Sequence, residues 1–152
     1  MWSTGAEEHR RPMSDATTTD HSLENIEAVQ RLYAAYGSRD MDGVVAVLAD
    51  DVDWAAEAAS TSAPWYGTFR GKAEVPRFFE AIGANVDIAE FDILGYTAGA
   101  TDVVATVHWT YTVKATGKTA TMYMQHWFRL ADGKIVFFRG SEDSEQTAAA
   151  FS

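Results

Sequence analysis

Residues 103–141 read VVATVHWTYTVKATGKTATMYMQHWFRLADGKIVFFRGS. Val103, Ala105, Val107, Trp109, Tyr111 and Val113 share one side of an alternating pattern, and Val104, Thr106, His108, Thr110 and Thr112 share the other. That period of two predicts a strand over 103–114 with one greasy face and one polar face. Ala115-Thr116-Gly117-Lys118 and Ala131-Asp132-Gly133 carry turn residues between apolar runs. They predict two hairpins, with further strands over 119–130 and 134–141. A fourth strand is expected over 86–97, where imperfect alternation suggests a bulge.

Upstream of this ribbon the period changes. Ile26, Val29, Tyr33 and Tyr36 recur at helical spacing, with Ser22 as a cap, Glu24 and Glu27 near the positive end, and Gly37 as a stop. Asp40 can cap a second, short helix carrying Val44, Val47 and Leu48 and ended by Asp50-Asp51. A short strand is expected over 52–55, then a loop over 56–71 with Pro64, Trp65, Tyr66, Gly67 and Gly71. Val75, Phe78, Phe79 and Ile82 mark a third helix. Pro76 falls in its first turn, where a missing N–H costs no intrahelical bond. The order helix, helix, strand, helix and four long antiparallel strands predicts an α+β domain with helices on one face of the sheet. Long bulged strands curl, so the expected shape is a cone with an open end and a hydrophobic pocket. Residues 1–20 lack periodicity and read as a flexible tail, in which Met13 offers an alternative start and Trp2 could dock on the body; 21–152 reads as a single domain.

The 152 residues suit one domain with a sizeable core. There is no cysteine, which excludes disulfides, thiolate metal sites and a cysteine nucleophile. The formal net charge is −10, and the only basic cluster is His9-Arg10-Arg11 in the tail. That balance argues against nucleic acid and anionic membranes as partners. No apolar run reaches the roughly 20 residues needed to span a bilayer, and no secretory h-region is seen, so a cytoplasmic location is expected. His108 and His126 stand on different predicted strands without HxH or HxxxH spacing, so no metal is expected. G-x-G-x-x-G, Walker and G-x-S-x-G patterns are absent, so no cofactor and no hydrolase elbow are indicated.

Four stretches carry a resemblance: NIEAVQRLYAAYGSRDMDGVVAVLADDVDW (25–54), WYGTFRGKAEVPRFFEAIG (65–83), QHWFRLADGKIVFFRG (125–140) and SEDSEQTAAAF (141–151). In these the chain resembles the NTF2-like superfamily, and within it the SnoaL-like, ketosteroid-isomerase-like branch that includes polyketide cyclases. The resemblance implies a cone-shaped, curved antiparallel sheet with three helices packed on its inner face. It also implies a homodimer through the outer sheet face and a pocket for a hydrophobic small molecule. The fold hosts isomerases, cyclases, epoxide hydrolases, dehydratases and plain binders.

The same resemblance supplies site residues. Polyketide-cyclase members carry a histidine at the position of His126, pointing into the pocket. There an imidazole can donate to developing oxyanion charge or move a proton. An inward His126 sends Met122, Met124 and Phe128 inward as an apolar wall, and Tyr123, Gln125 and Trp127 outward. The alternative is a structural histidine, hydrogen-bonded beneath the helices. The cyclase pattern also wants an acid facing that histidine, and the matching residue is Gly140. Glu142 and Asp143 lie just beyond, and glycine could instead make room for a larger ligand. The isomerase pattern needs a carboxylate base after the first strand, near Ala56; Glu57 is the only acid in that small apolar stretch. Burial among Ala and Trp would raise its pKa, whereas a solvated loop glutamate is the plainer reading. The isomerase tyrosine on the first helix corresponds most nearly to Tyr33, one residue out of register, with Tyr36 one turn on. Trp54, Trp65 and Tyr66 could close the mouth, with Phe79 on the wall, and His108 is expected on the outer face. The expected function is cofactor-free acid/base chemistry of isomerase or cyclase type on a hydrophobic carbonyl-bearing ligand. The alternatives are a non-catalytic binding protein with the same pocket, or an epoxide hydrolase.

Overall fold

The computed structural model describes residues 20–152, so residues 1–19 of the expected tail, Trp2 among them, lie outside the described residues. The chain runs through α1 (Ser22–Gly37), α2 (Met41–Ala46), β1 (Leu48–Ala56), β2 (Gly67–Arg70), α3 (Val75–Asn85), β3 (Val86–Ala98), β4 (Asp102–Val113), β5 (Thr119–Ala131), β6 (Lys134–Ser141) and α4 (Ser144–Phe151). The six strands form one sheet in the order β2-β1-β6-β5-β4-β3. The α+β class and the four long antiparallel strands stand as expected.

Several features depart from the expectation. β1 begins at Leu48, so Leu48 to Asp51 belong to a strand, and β1 lies parallel to β6, which makes the sheet mixed. Short β2 pairs with β1, Trp54 opposite Phe69, within the segment read as loop. A fourth helix, α4, closes the chain, its first turn capped by the Asp143 carboxylate, which accepts from Gln146 N at 3.1 Å. Ser22 lies inside α1 instead of capping it: Asp20 accepts from the Ser22 backbone N–H at 2.9 Å. Asp40 does cap α2, accepting from Gly43 N at 2.9 Å, and Pro76 occupies the first turn of α3.

The inner face of β4 is buried from Val103 to Val113 at every second residue. This is the alternation that organises the fold, because burial of each such side chain contributes roughly 1.5–3 kcal/mol. α1 packs over β3, β4 and β6. Register shifts in β3 between Ile88 and Glu90 and between Ile93 and Gly95 mark bulges, which bend the sheet around the helices. β2 and β3 remain free edges, so the sheet is curved but not closed. On the outer face Tyr123 and Trp127 are exposed, and His108 is hydrogen-bonded to Glu90.

The β5–β6 hairpin sets the register of the interior. Asp132 and Gly133 both take positive φ, 51° and 75°, the two-residue turn that matches strand twist. It brings Gly140 opposite His126. Gly133→Ala is expected to lower stability by about 1 kcal/mol, because a Cβ strains the left-handed conformation; urea unfolding checks this, and an unchanged midpoint would contradict it.

Candidate active site

His126 stands on β5 between Ala105 of β4 and Gly140 of β6. Two small neighbours leave the imidazole room on the inner face. Tyr33 reaches it from α1: Tyr33 Oη lies 2.7 Å from His126 Nδ1, and the rings are nearly parallel, 18° apart with centroids separated by 6.0 Å. Phe138 meets the imidazole edge-on at 5.2 Å, and Phe91 covers another side at 6.3 Å. Burial among these rings lowers the His126 pKa to about 4, so the ring is neutral at neutral pH. Burial also pushes the Tyr33 hydroxyl well above its ordinary range, with Tyr96 a smaller contribution, so Tyr33 stays protonated. Between a neutral phenol and a neutral imidazole, the phenol is the stronger donor and the ring nitrogen the better acceptor. Tyr33 O–H therefore donates to Nδ1, and the imidazole proton sits on Nε2, which has no partner among the described residues.

These groups line a narrow cavity of about 50 Å³. Its wall is overwhelmingly apolar: Trp54 stacks on Phe138 at 4.0 Å, and Phe78, Phe79 and Phe128 complete the aromatic lining. Tyr36 rests against Phe79 at 5.0 Å and also lines the cavity. Glu142 adds the one carboxylate to this wall among the described residues. Gly140 faces His126, and two residues further along a strand restores the same face. Trp65 Nε1–H donates to Glu142 Oε1 at 3.1 Å and holds it there. Burial raises the Glu142 pKa, and contacts with Tyr66 and Trp65 offset part of that rise. Tyr66 Oη is buried beside Glu142 without a well-formed hydrogen bond, in a shallower depression adjoining the cavity. Asp143 turns away to cap α4, so of the two acids beyond Gly140 only Glu142 reaches the interior.

Several expected site residues fall elsewhere. Glu57 is 69% exposed and paired with Arg139 Nε at 3.2 Å, outside the main cavity. The reason is strand alternation plus register: Ala55 pairs with Arg139, whose guanidinium draws both Asp53 and Glu57 outward. Trp54, Ala55 and Ala56 before Glu57 are buried, but its carboxylate is not. Met122 is buried opposite Trp109 and does not line the cavity, whereas Met124 and Phe128 do. Trp65 is a fully buried wall residue instead of a rim residue. Gly140 lines the cavity, and a Cβ there would meet Phe138 Cζ at 3.2 Å and His126 Cδ2 at 3.7 Å. The orientation of Glu142 could have been found by counting two residues from Gly140. The part of Phe91 and Phe138 could not, since both read as ordinary strand residues.

The architecture and the cavity define an NTF2-like α+β protein. The SnoaL-like domain model matches residues 29–138, and the chain belongs to that family. An NTF2-like protein from Burkholderia xenovorans LB400 is 25% identical, covers 88% of this chain and 100% of its own, and superposes with a TM-score of 0.80. An NTF2-like protein of unknown function from Burkholderia pseudomallei K96243 is 26% identical over 85% of this chain and 98% of its own, with a TM-score of 0.75. An LEH-like epoxide hydrolase from M. tuberculosis shares the fold at 20% identity, covering 86% of this chain and 91% of its own, with a TM-score of 0.66. The sequence has no match among curated proteins. Among the described residues no helix is long and apolar enough to cross a membrane, and no group of three His, Asp or Glu side chains could hold a metal ion.

The lowered pKa of His126 has a measurable consequence. From pH 6.5, the ordinary value, down to about 4, the unfolded chain takes up a proton that the folded chain refuses. The contribution is fully present above 6.5 and is lost as pH falls through that window. His126→Gln is expected to flatten this part of the stability-versus-pH curve in urea unfolding, and equal slopes for variant and wild type would contradict it.

Proposed function

We propose that this protein is a cofactor-free enzyme of isomerase or cyclase type, moving a proton next to a carbonyl on a hydrophobic small molecule. The observation that carries the reading is one apolar cavity holding a neutral Tyr33–His126 pair and a half-buried carboxylate, Glu142. A neutral His126 with a pKa near 4 is a poor base, so its role is that of a donor: Nε2–H hydrogen-bonds the carbonyl oxygen as it gains negative charge. Tyr33 fixes the tautomer and ring plane. Glu142, with its pKa raised by burial, abstracts the α-proton and returns it at another position. In this assignment Glu142 takes the part expected of Glu57 and of an acid at position 140, and Tyr33 is a positioning residue.

The binding-protein alternative is favoured by Gly140, where the cyclase pattern has an acid. The epoxide-hydrolase alternative needs paired acids, and Asp53, Glu57 and Asp143 are each engaged outside the cavity. The same proposal includes a cytoplasmic location and a homodimer through the outer sheet face, where Tyr123 and Trp127 stand exposed. Sedimentation at micromolar concentration is expected to give a dimer, and a monomer would contradict that part.

α-Proton exchange of β-tetralone in deuterated buffer, followed by NMR, tests the chemistry. The wild type is expected to accelerate exchange above the buffer rate. Glu142→Gln is expected to lose about a hundredfold or more of that acceleration, and Tyr33→Phe about tenfold. Glu142→Gln should also melt at a higher temperature at neutral pH. A raised carboxylate pKa means that stability is lost as pH rises through the window, and the amide keeps an acceptor for Trp65 without the buried charge. Tight ketone binding with exchange no faster than in buffer would favour the binding protein instead.

A further inference from the structure

Glu142 is gripped by parts of the chain that the cavity does not use. The chain leaves β6 at Ser141, places Glu142, and at once enters α4 through the Asp143 cap. α4 contributes no residue to the cavity wall among the described residues, yet it is fastened to the β4–β5 hairpin at three points. Thr121 N–H donates to Gln146 Oε1 at 2.8 Å, Thr116 Oγ1 to the Ala150 carbonyl at 2.6 Å, and Tyr111 Oη to the fully buried Thr147 Oγ1 at 2.8 Å. From its last turn Phe151 packs edge-on against Trp65 at 5.6 Å, the indole that holds Glu142.

Tyr66 meets the same carboxylate from another side. It lines the polar depression next to the cavity, together with Glu57, Ser141, Glu142 and Ser144, and does not line the cavity itself. Its hydroxyl oxygen is buried, so water does not serve it. The polar groups beside it are the Glu142 carboxylate and the Thr147 hydroxyl. Thr147 gives its one hydrogen to the Asp143 carbonyl at 3.2 Å and accepts from Tyr111. The carboxylate is the stronger acceptor of the two, and a phenol shut away from water is costly to leave unpaired.

We propose that Tyr66 and α4 form a clamp that orients Glu142 for proton transfer without touching the ligand, with Tyr66 and Thr147 as positioning residues. This rests on the reading of Glu142 as the base. α4 fixes where the carboxylate stands, and Trp65 holds one of its oxygens. The Tyr66 hydroxyl, short of a well-formed bond in the free protein, closes on the carboxylate when Glu142 is charged. The other titratable groups around Glu142 are Asp143 beside it, Tyr111, Glu57 at the depression and His126 in the cavity.

Two readouts test the clamp. In carbon-13 NMR, the Glu142 carboxyl resonance, assigned with Glu142→Gln, gives its titration midpoint without any turnover. Tyr66→Phe keeps the ring and removes a donor to the charged form, so the midpoint is expected to rise. In β-tetralone exchange, Tyr66→Phe and Thr147→Val are each expected to lose roughly tenfold in the rate at saturating ketone, with the dissociation constant for β-tetralone unchanged. The acidic limb of the exchange profile should move to higher pH in Tyr66→Phe, and Thr147→Ser should restore the wild-type rate. A midpoint that does not rise in Tyr66→Phe overturns the inference, whatever the rates. A wild-type rate in Thr147→Val overturns the part given to α4. A wild type that exchanges no faster than buffer sinks the reading of Glu142 as the base, and with it the clamp's purpose, even where the midpoint rises.

Discussion

The hydrogen bond between Tyr33 and His126 joins a helix to the middle of the sheet on the wall of the apolar cavity. Two polar groups are stable there because each satisfies the other and neither is charged. The 2.7 Å contact, the lowered imidazole pKa and the raised phenol pKa describe one condition, a neutral pair in an apolar setting. Desolvation disfavours an imidazolium or a phenolate, and the same desolvation strengthens any hydrogen bond that Nε2–H makes. The rest of the interior is arranged to keep this condition. Ala105 and Gly140 leave space beside the ring, Phe138 and Phe91 seal it, and the bulges of β3 bend the sheet over it.

Glycine at position 140 takes its meaning from that packing. A side chain there would run into Phe138 and come against His126. The carboxylate of the cavity therefore sits two residues on, at Glu142, just past the end of β6, where Trp65 can hold it. On a strand a shift of two keeps the face and moves the group by about 7 Å. The acid and the donor are thus spread along the cavity instead of facing one another across two strands. Such spacing suits a ligand whose reacting carbon is displaced along its frame from the oxygen that is held.

Much of the fold was legible in the sequence because one strand announced it. The alternation from Val103 to Val113 showed which face of β4 is interior, the turns at 115–118 and Asp132-Gly133 marked the hairpins into β5 and β6, and the inward His126, with Tyr123 and Trp127 outward, was what the family resemblance implied. What the sequence could not show depended on neighbours remote in the chain. Glu57 sits in an apolar stretch, yet Arg139, paired in register with Ala55, draws its carboxylate into solvent. The parallel pairing of β1 with β6 leaves no local mark, and α4 is short and weakly amphipathic, its cap residue Asp143 being also a plausible site acid. Tyr33 is one residue, about 100° of helix rotation, out of register with the isomerase pattern, yet its hydroxyl meets His126.

The protonation state of His126 decides the account most directly. Nitrogen-15 NMR of the free protein at neutral pH distinguishes the two neutral imidazole tautomers from the imidazolium. The account predicts a neutral ring with its proton on Nε2 and with Nδ1 accepting from Tyr33. A doubly protonated ring, or a proton on Nδ1, would contradict it, because Nε2 would then be held by a charge the cavity cannot tolerate or would have no hydrogen to offer a carbonyl oxygen.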